Sequence, residues 1–155
     1  MLTEWQNNVM SLLREWLDDS FGEVLLLERD DITFLRFVPA LFEDGSAEVM
    51  VEVCLYDYGE EVTVAQIYST MLIDVAEKAE ALSERIPEWN FYSLVGAYGI
   101  YEKLGHLYHK HSVALVNEAS ADDQTEMVFA GVCLAMDEMA RRIYKAAEIC
   151  GFEDI

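Results

Sequence analysis

The stretch Ala47–Tyr56, with the sequence AEVMVEVCLY, alternates between two kinds of side chain. Every second residue is aliphatic, and most of the residues between them are more polar. Neighbouring side chains of a strand point to opposite faces of its sheet, so this period of two predicts a strand with one covered and one wetter face. The covered set is Val49, Val51, Val53 and Leu55, and the wetter set is Glu48, Met50, Glu52, Cys54 and Tyr56.

Further strands are predicted on both sides of this stretch. Val24–Glu28 and Ile32–Val38 precede it, joined by turn formers at Arg29-Asp30-Asp31. Phe91–Tyr101 and His106–Val116 form a later hairpin, in which Gly96 and Gly99 predict a bend or a close backbone approach.

The segment Val62–Met71 is ambiguous from its residues. Thr63 and Gln66 could form a capping box for a helix, but β-branched and aromatic residues dominate the segment. We favour a fourth strand.

Helices are predicted at the two ends of the chain and between the two groups of strands. Thr3 and Gln6 form a capping box for a first helix that ends at Gly22. A second helix runs from about Leu72 to Ile86, where Pro87 blocks further winding. A long closing helix begins after Ser120 and ends before Gly151, with the inner stripe Val128, Val132, Ala135, Met139, Ile143 and Ala146. The prediction is an α+β fold, an antiparallel sheet with helices in the order α-β-β-β-β-α-β-β-α, as one domain over residues 1–155.

The charge of the chain is extreme for a sequence this apolar. It carries 30 acidic and 10 basic residues, a formal net charge of −20, with 53% hydrophobic residues. The apolar content favours a packed fold coated with negative charge. Such a surface disfavours nucleic-acid backbones and anionic membranes, because both are themselves negative. It favours a basic protein segment, a protein that normally binds nucleic acid, or simply solubility.

The first residues, the length of the apolar runs and the cysteines indicate the compartment of the protein. The first residues include Glu4 and Glu15 and lack the pattern of a signal peptide, and no run has the roughly 18 apolar residues of a membrane span. Cys54, Cys133 and Cys150 are an odd number without CxxC spacing, which favours reduced thiols. We expect a soluble cytoplasmic protein.

No catalytic or metal site is predicted. His109 and His111 share one face of a strand, with His106 on the other, but a zinc site needs further ligands. Paired carboxylates such as Asp18-Asp19 and Glu60-Glu61 lie at turns and helix ends, where they stay solvated. The chain has no GxSxG elbow, no phosphate-binding glycine loop and no cysteine in a basic setting. We therefore expect no enzyme activity and no cofactor.

Tyrosines concentrate on the predicted strands and indicate a binding surface. An amphipathic ring on a half-exposed sheet can pack against a peptide while its hydroxyl stays wet, although ordinary cross-strand packing explains the same pattern. The candidate partner-binding residues are Tyr56, Tyr58, Tyr98 and Tyr108. Met127, Leu134 and Met136 flank the inner stripe of the closing helix, which indicates a homodimer contact.

The order of elements resembles the YbjN-like family and, more distantly, the type III secretion chaperone fold. The resemblance is carried by the Glu43-Asp44-Gly45-Ser46 turn, the passage from Ala65–Thr70 into Leu72–Ile86, the hairpin Phe91–Leu115, and the acidic start of the closing helix. Secretion chaperones are small acidic homodimers that hold an extended segment of a partner and are not enzymes. The strand at Val62–Met71 is extra relative to their simplest pattern.

This resemblance implies a non-catalytic, acidic, intracellular module that binds a protein or peptide, in a chaperone-like or regulatory role. The expected partner is a protein or peptide, with a basic segment among those that fit, and neither a nucleic acid nor a membrane. The alternative is a nucleic-acid mimic or a toxin-neutralising, immunity-type inhibitor, in which carboxylates substitute for phosphates.

Overall fold

The computed structural model describes residues 1–155 as a six-stranded antiparallel sheet with helices packed on one face. The strands lie side by side in the order β1-β2-β3-β4-β6-β5. The strands are β1 Leu25–Arg29, β2 Ile32–Phe37, β3 Met50–Asp57, β4 Val62–Leu72, β5 Ala97–Tyr101 and β6 His106–Val116. The helices are α1 Glu4–Phe21, α2 Ala79–Tyr92, α3 Ala121–Ala140 and α4 Ile143–Cys150, with a 3-10 turn at Ala76–Lys78. The predicted α+β fold is confirmed.

The ambiguous segment forms the central strand β4. It pairs with β3 along one edge and with β6 along the other. Thr63 is buried, and it caps no helix. Its hydroxyl accepts a hydrogen bond from the Gln6 side chain (3.0 Å) and donates one to Asn117 (2.5 Å). Thr63, which the helical interpretation would have made a capping residue, therefore ties α1 to the end of the sheet.

The core lies between the sheet and helices α1 and α3. The predicted inward residues of β3 are buried, and the stripe of the closing helix packs over the same face. Helix α3 comes close to the sheet at Gly131, where a Cβ would lie 2.8 Å from Val113 and 3.1 Å from Ile67. Each large aliphatic side chain buried here contributes roughly 1.5–3 kcal/mol. We call this side of the sheet the covered face.

Helix α2 differs from its prediction at both ends. Strand β4 continues to Leu72, so the helix starts later, and Pro87 lies inside it rather than after it. A proline inside a helix costs about 3 kcal/mol because it removes a backbone hydrogen bond. Burial of the Trp89 ring offsets this cost. The ring lies beyond the proline in the helix and meets Tyr98 edge to face at 5.7 Å. Consequently β5 begins at Ala97, and Phe91 belongs to the helix.

The closing helix is interrupted. Arg142 adopts φ −117° and ψ −20°, which separates α3 from α4 at a point where one continuous helix was predicted. Met139 and Ile143 remain buried on either side of the break, so the inner stripe still faces the core. The predicted caps at Thr3, Ser120 and Gly151 are all present. None of the helices combines the length and apolarity that a membrane-spanning segment needs.

Candidate functional site

The opposite side of the sheet, which we call the open face, is not covered by any helix and carries a groove of about 650 Å³. Its walls come from both edges of the sheet and from the strands between them. Aromatic side chains dominate the apolar part: Phe34, Tyr56, Tyr68, Tyr101 and Tyr108. The charged side chains that line it are Arg29, Asp30, Arg36, Glu52 and Lys110.

The strand register places four of these side chains in one row across the open face. Arg36 of β2 pairs with Glu52 of β3, Glu52 with Tyr68 of β4, and Tyr68 with Lys110 of β6. Tyr108 belongs to the neighbouring row, where it pairs with Thr70. Adjacent strands lie about 4.8 Å apart, so the row spans roughly 15 Å.

Two tyrosines form the aromatic centre of the groove. The rings of Tyr68 and Tyr108 are stacked with centroids 5.1 Å apart. Tyr108 leans over the edge strand at Gly99, where any Cβ would collide with its ring. The close backbone approach predicted for Gly96 or Gly99 is found at Gly96, where a Cβ would collide with the Lys110 carbonyl oxygen, whereas the close neighbour of Gly99 is a side chain. Partial burial, and after it the nearby Tyr108, raises the pKa of the Tyr68 hydroxyl, which therefore stays protonated as a hydrogen-bond donor.

The charged groups of the groove differ in whether they are paired. Arg36 and Glu52 form an ion pair at 2.9 Å, with both side chains partly buried. The guanidinium groups of Arg29 and Arg36 lie 5.2 and 5.5 Å from the centroid of the Phe34 ring, within range of a cation–π interaction. Neither Arg29 nor Lys110 has an ion-pair partner.

The groove has the opposite local charge to the chain as a whole. Three of the 10 basic residues line it, against two of the 30 acidic residues. Glu52 is already neutralised by Arg36. The open face is therefore a cationic, aromatic patch on a strongly anionic protein.

The four predicted partner-binding tyrosines do not share one surface. Tyr56 and Tyr108 line the groove. Tyr58 is 74% exposed in the turn after β3 and lies outside the groove lining. Tyr98 points to the covered face, where it is buried. We therefore leave Tyr58 and Tyr98 out of the candidate site.

Sequence reasoning missed Tyr68, Arg36 and Lys110 as members of the site. The alternation of β3 predicted which of its own residues face outward, but it could not say which residues of other strands stand beside them. That information is in the register, which the pairing of β3 with β4 and of β4 with β6 supplies. The wetter set of β3 was the available signal, because Met50, Glu52, Cys54 and Tyr56 all line the groove.

A polar cluster is buried on the covered face, apart from the groove. The Tyr98 hydroxyl lies 2.5 Å from Oε2 and 2.9 Å from the backbone carbonyl oxygen of Glu138. Burial, and then this contact with Glu138, raises the pKa of Tyr98. The Asn90 side chain bonds both the backbone N–H and the carbonyl of Tyr98, so it occupies hydrogen-bonding groups of edge strand β5. The cluster fastens α2 and α3 to the hairpin.

The histidines are arranged as predicted, with His109 and His111 on one face. His109 is fully buried, and its Nε2 donates to the Val95 carbonyl oxygen at 2.7 Å, which leaves Nδ1 without a partner. Burial lowers the pKa of His109, because the charged ring would lose its hydration inside the protein. No group of three or more His, Cys, Asp or Glu side chains is placed to hold a metal ion.

Three groups of the groove, the Cys54 thiol, the Tyr56 hydroxyl and the Glu52 carboxylate, are held in states that disfavour covalent or acid–base chemistry. Burial raises the pKa of the Cys54 thiol, whereas a nucleophilic cysteine needs a lowered pKa. Contact with that thiol raises the pKa of Tyr56 to about 12. The Glu52 carboxylate is tied to Arg36. In these states the three groups can pack against a ligand and form hydrogen bonds with it.

Comparisons with known proteins bear on the fold alone. No protein-family model matches the chain, and no curated protein does. Among solved structures, the chain is similar to the crystal structure of YbjN from E. coli, a protein described as a proposed transcription regulator. The match covers 85% of this chain and 91% of that one, at 15% identity and a TM-score of 0.44. The YbjN structure belongs to the family that the order of elements in the sequence resembles.

Proposed function

We propose that the protein is a non-catalytic binding module that holds an extended segment of a protein partner in the groove on its open face. The observation that carries the proposal is the contrast between a core face packed by helices and an aromatic groove that no helix covers. An extended segment could lay apolar side chains on Tyr68 and Tyr108 while its polar groups meet the hydroxyls and charges around them.

The state of the ionisable groups supports a binding role over a catalytic one. A catalytic acid, base or nucleophile is tuned toward the working pH, whereas the Cys54 thiol is shifted the other way. All three cysteines are free, which fits a protein that acts in the cytoplasm.

The alternative function, a nucleic-acid mimic, requires carboxylates in rows on the contact surface. The groove instead presents five aromatic rings and only two carboxylates, one of which is paired with Arg36. This composition supports the peptide-binding proposal.

Partner capture with matched variants tests the proposal. Tyr68→Ser/Tyr108→Ser removes the aromatic pair of the groove. Phe91→Ser/Tyr92→Ser is the control, because these two rings also contact each other, at 5.0 Å, and are 80% and 62% exposed outside the groove. Affinity capture from lysate of the source cells, with proteins identified by mass spectrometry, compares both with the unmodified chain.

We expect the groove variant to lose a partner that the control retains. Denaturant unfolding of each variant verifies that the fold is intact. The proposal fails if the groove variant keeps every captured partner, or if the control alone loses them.

A further inference from the structure

We propose that the groove takes an acidic segment: an extended peptide in which a carboxylate lies two residues from an aromatic or aliphatic side chain. This inference rests on the proposed function and names the chemistry of its partner. The total charge of −20 favours basic partners. A ligand in the groove, however, meets the charges that line the groove first.

The local charges favour an anion. Lys110 is exposed and unpaired, and Arg29 is unpaired at the other end of the groove. The Glu52 carboxylate is compensated by Arg36, and the remaining acid, Asp30, lies in the turn between β1 and β2. A basic segment would bring further positive charge to Lys110 and find no free carboxylate at the centre of the groove.

The spacing on β6 defines the pattern of the ligand. Lys110 and Tyr108 are two residues apart on one strand, so their side chains leave the open face about 6.6 Å apart. An extended peptide has the same repeat. A carboxylate at one position can therefore meet the Lys110 ammonium while an apolar side chain two residues away packs on the ring of Tyr108 and its stacked neighbour Tyr68.

The opposing charges of the groove and of the whole chain predict an unusual salt dependence. At about 0.01 M salt the Debye length is roughly 30 Å, so an approaching acidic peptide feels the repulsion of the whole chain. At 0.15 M salt it falls to about 8 Å, and the contacts in the groove dominate. The acidic segment is therefore expected to bind at least as tightly at 0.15 M as at 0.01 M salt. A basic peptide is expected to bind less tightly at the higher salt concentration.

The experiment titrates the ¹⁵N-labelled full chain with two acetylated, amidated probe peptides, DSFSD and KSFSK, followed by NMR. We expect DSFSD to shift the amide signals of β4 and β6 at millimolar concentration or below. Lys110→Glu is expected to weaken this binding about tenfold, because an attraction becomes a repulsion. Lys103→Glu makes the same charge change in the exposed turn between β5 and β6, outside the groove lining, and is expected to leave it unchanged.

Three results overturn the inference. The first is that KSFSK shifts the β4 and β6 signals and DSFSD does not; the groove then binds peptides of the other charge, and the proposed function stands. The second is that Lys110→Glu and Lys103→Glu weaken DSFSD binding equally, and the third is that neither peptide shifts the signals of these strands. The proposed function fails separately, when partner capture depends on Phe91 and Tyr92 instead of Tyr68 and Tyr108.

Discussion

The two faces of one sheet use the same strands for different purposes. Leu107 and Tyr108 are neighbours on β6, yet Leu107 is fully buried under the helices while Tyr108 lines the groove. On β4, Ile67 and Tyr68 show the same division. The covered face is aliphatic and packed by α1 and α3, whereas the open face holds stacked rings and unpaired cations. Alternate residues of each strand therefore serve the buried core and, under the proposed function, the binding groove.

The sharpest test of this division compares the two neighbours on β6. Leu107→Ala is expected to cost about 2–5 kcal/mol of unfolding free energy, because it leaves a cavity in a closely packed core. Tyr108→Ala is expected to cost about 1 kcal/mol, mostly lost stacking on Tyr68. Urea denaturation monitored by circular dichroism measures both. Equal losses would mean that the open face is also part of the core.

Two glycines, Gly99 in β5 and Gly96 in the turn before it, allow the covered and open faces to be compared again. Gly96 has φ +65°, and a Cβ there would collide with the Lys110 carbonyl oxygen and the buried His109 ring. Gly96→Ala is therefore expected to cost about 2–3 kcal/mol, from backbone strain and overpacking together. Gly99→Ala meets only the outer end of the Tyr108 side chain, which can swing aside.

Gly99→Ala is accordingly expected to change stability by less than about 1 kcal/mol while weakening partner binding, because Tyr108 leaves its place beside Tyr68. Thermal unfolding and the capture assay measure the two effects. A Gly99→Ala variant that is strongly destabilised, or that binds normally, would contradict the position given to Tyr108.

The last expected effect is a pH dependence that belongs to the covered face. Burial lowers the pKa values of His109 and His111 from their usual 6.5, so between the lowered and usual values the unfolded chain binds more protons than the folded one. Stability contributed by these neutral rings is therefore complete above pH 6.5 and is lost as pH falls, with a slope of at most about 1.4 kcal/mol per pH unit for each ring.

Urea unfolding between pH 5 and pH 8 should show this decrease, and His109→Gln should reduce its slope. Glutamine can still donate to the Val95 carbonyl oxygen but has no proton to gain. An unchanged slope in the variant would show that His109 does not titrate as its burial requires.

The sequence predicted the parts of the fold that depend on local pattern. The alternation of β3 correctly predicted which residues lie on each of its faces. The β-branched residues of Val62–Met71 correctly predicted a strand, although Thr63 and Gln66 also matched a helix capping box. The continuation of α2 past Pro87 could not be predicted, because it depends on the packing of Trp89 against Tyr98. Long-range contacts of this kind leave no local signal.

The candidate site was predicted only in part, for the same reason. Tyr56 and Tyr108 were identified from residue type, but the face of each strand depends on the register of the hairpin. That register sets Tyr98 opposite His109 on the covered face and Tyr108 opposite Gly99 on the open face. The total charge of −20 concealed the cationic character of the groove. Arg36 and Lys110 are distant in the chain, and only the pairing of the strands places them in one row of the sheet.

One measurement tests the division of the two faces most directly: the methyl NMR spectrum of the chain labelled with ¹³C at the methionine methyl groups, recorded with and without a segment of the captured partner. Met50 lines the groove, whereas Met127 is exposed on helix α3, on the other side of the molecule. We expect the Met50 signal to shift on binding and the Met127 signal to stay unchanged. A shift of Met127 with Met50 unchanged would place the partner on the helical side and contradict a binding site on the open face.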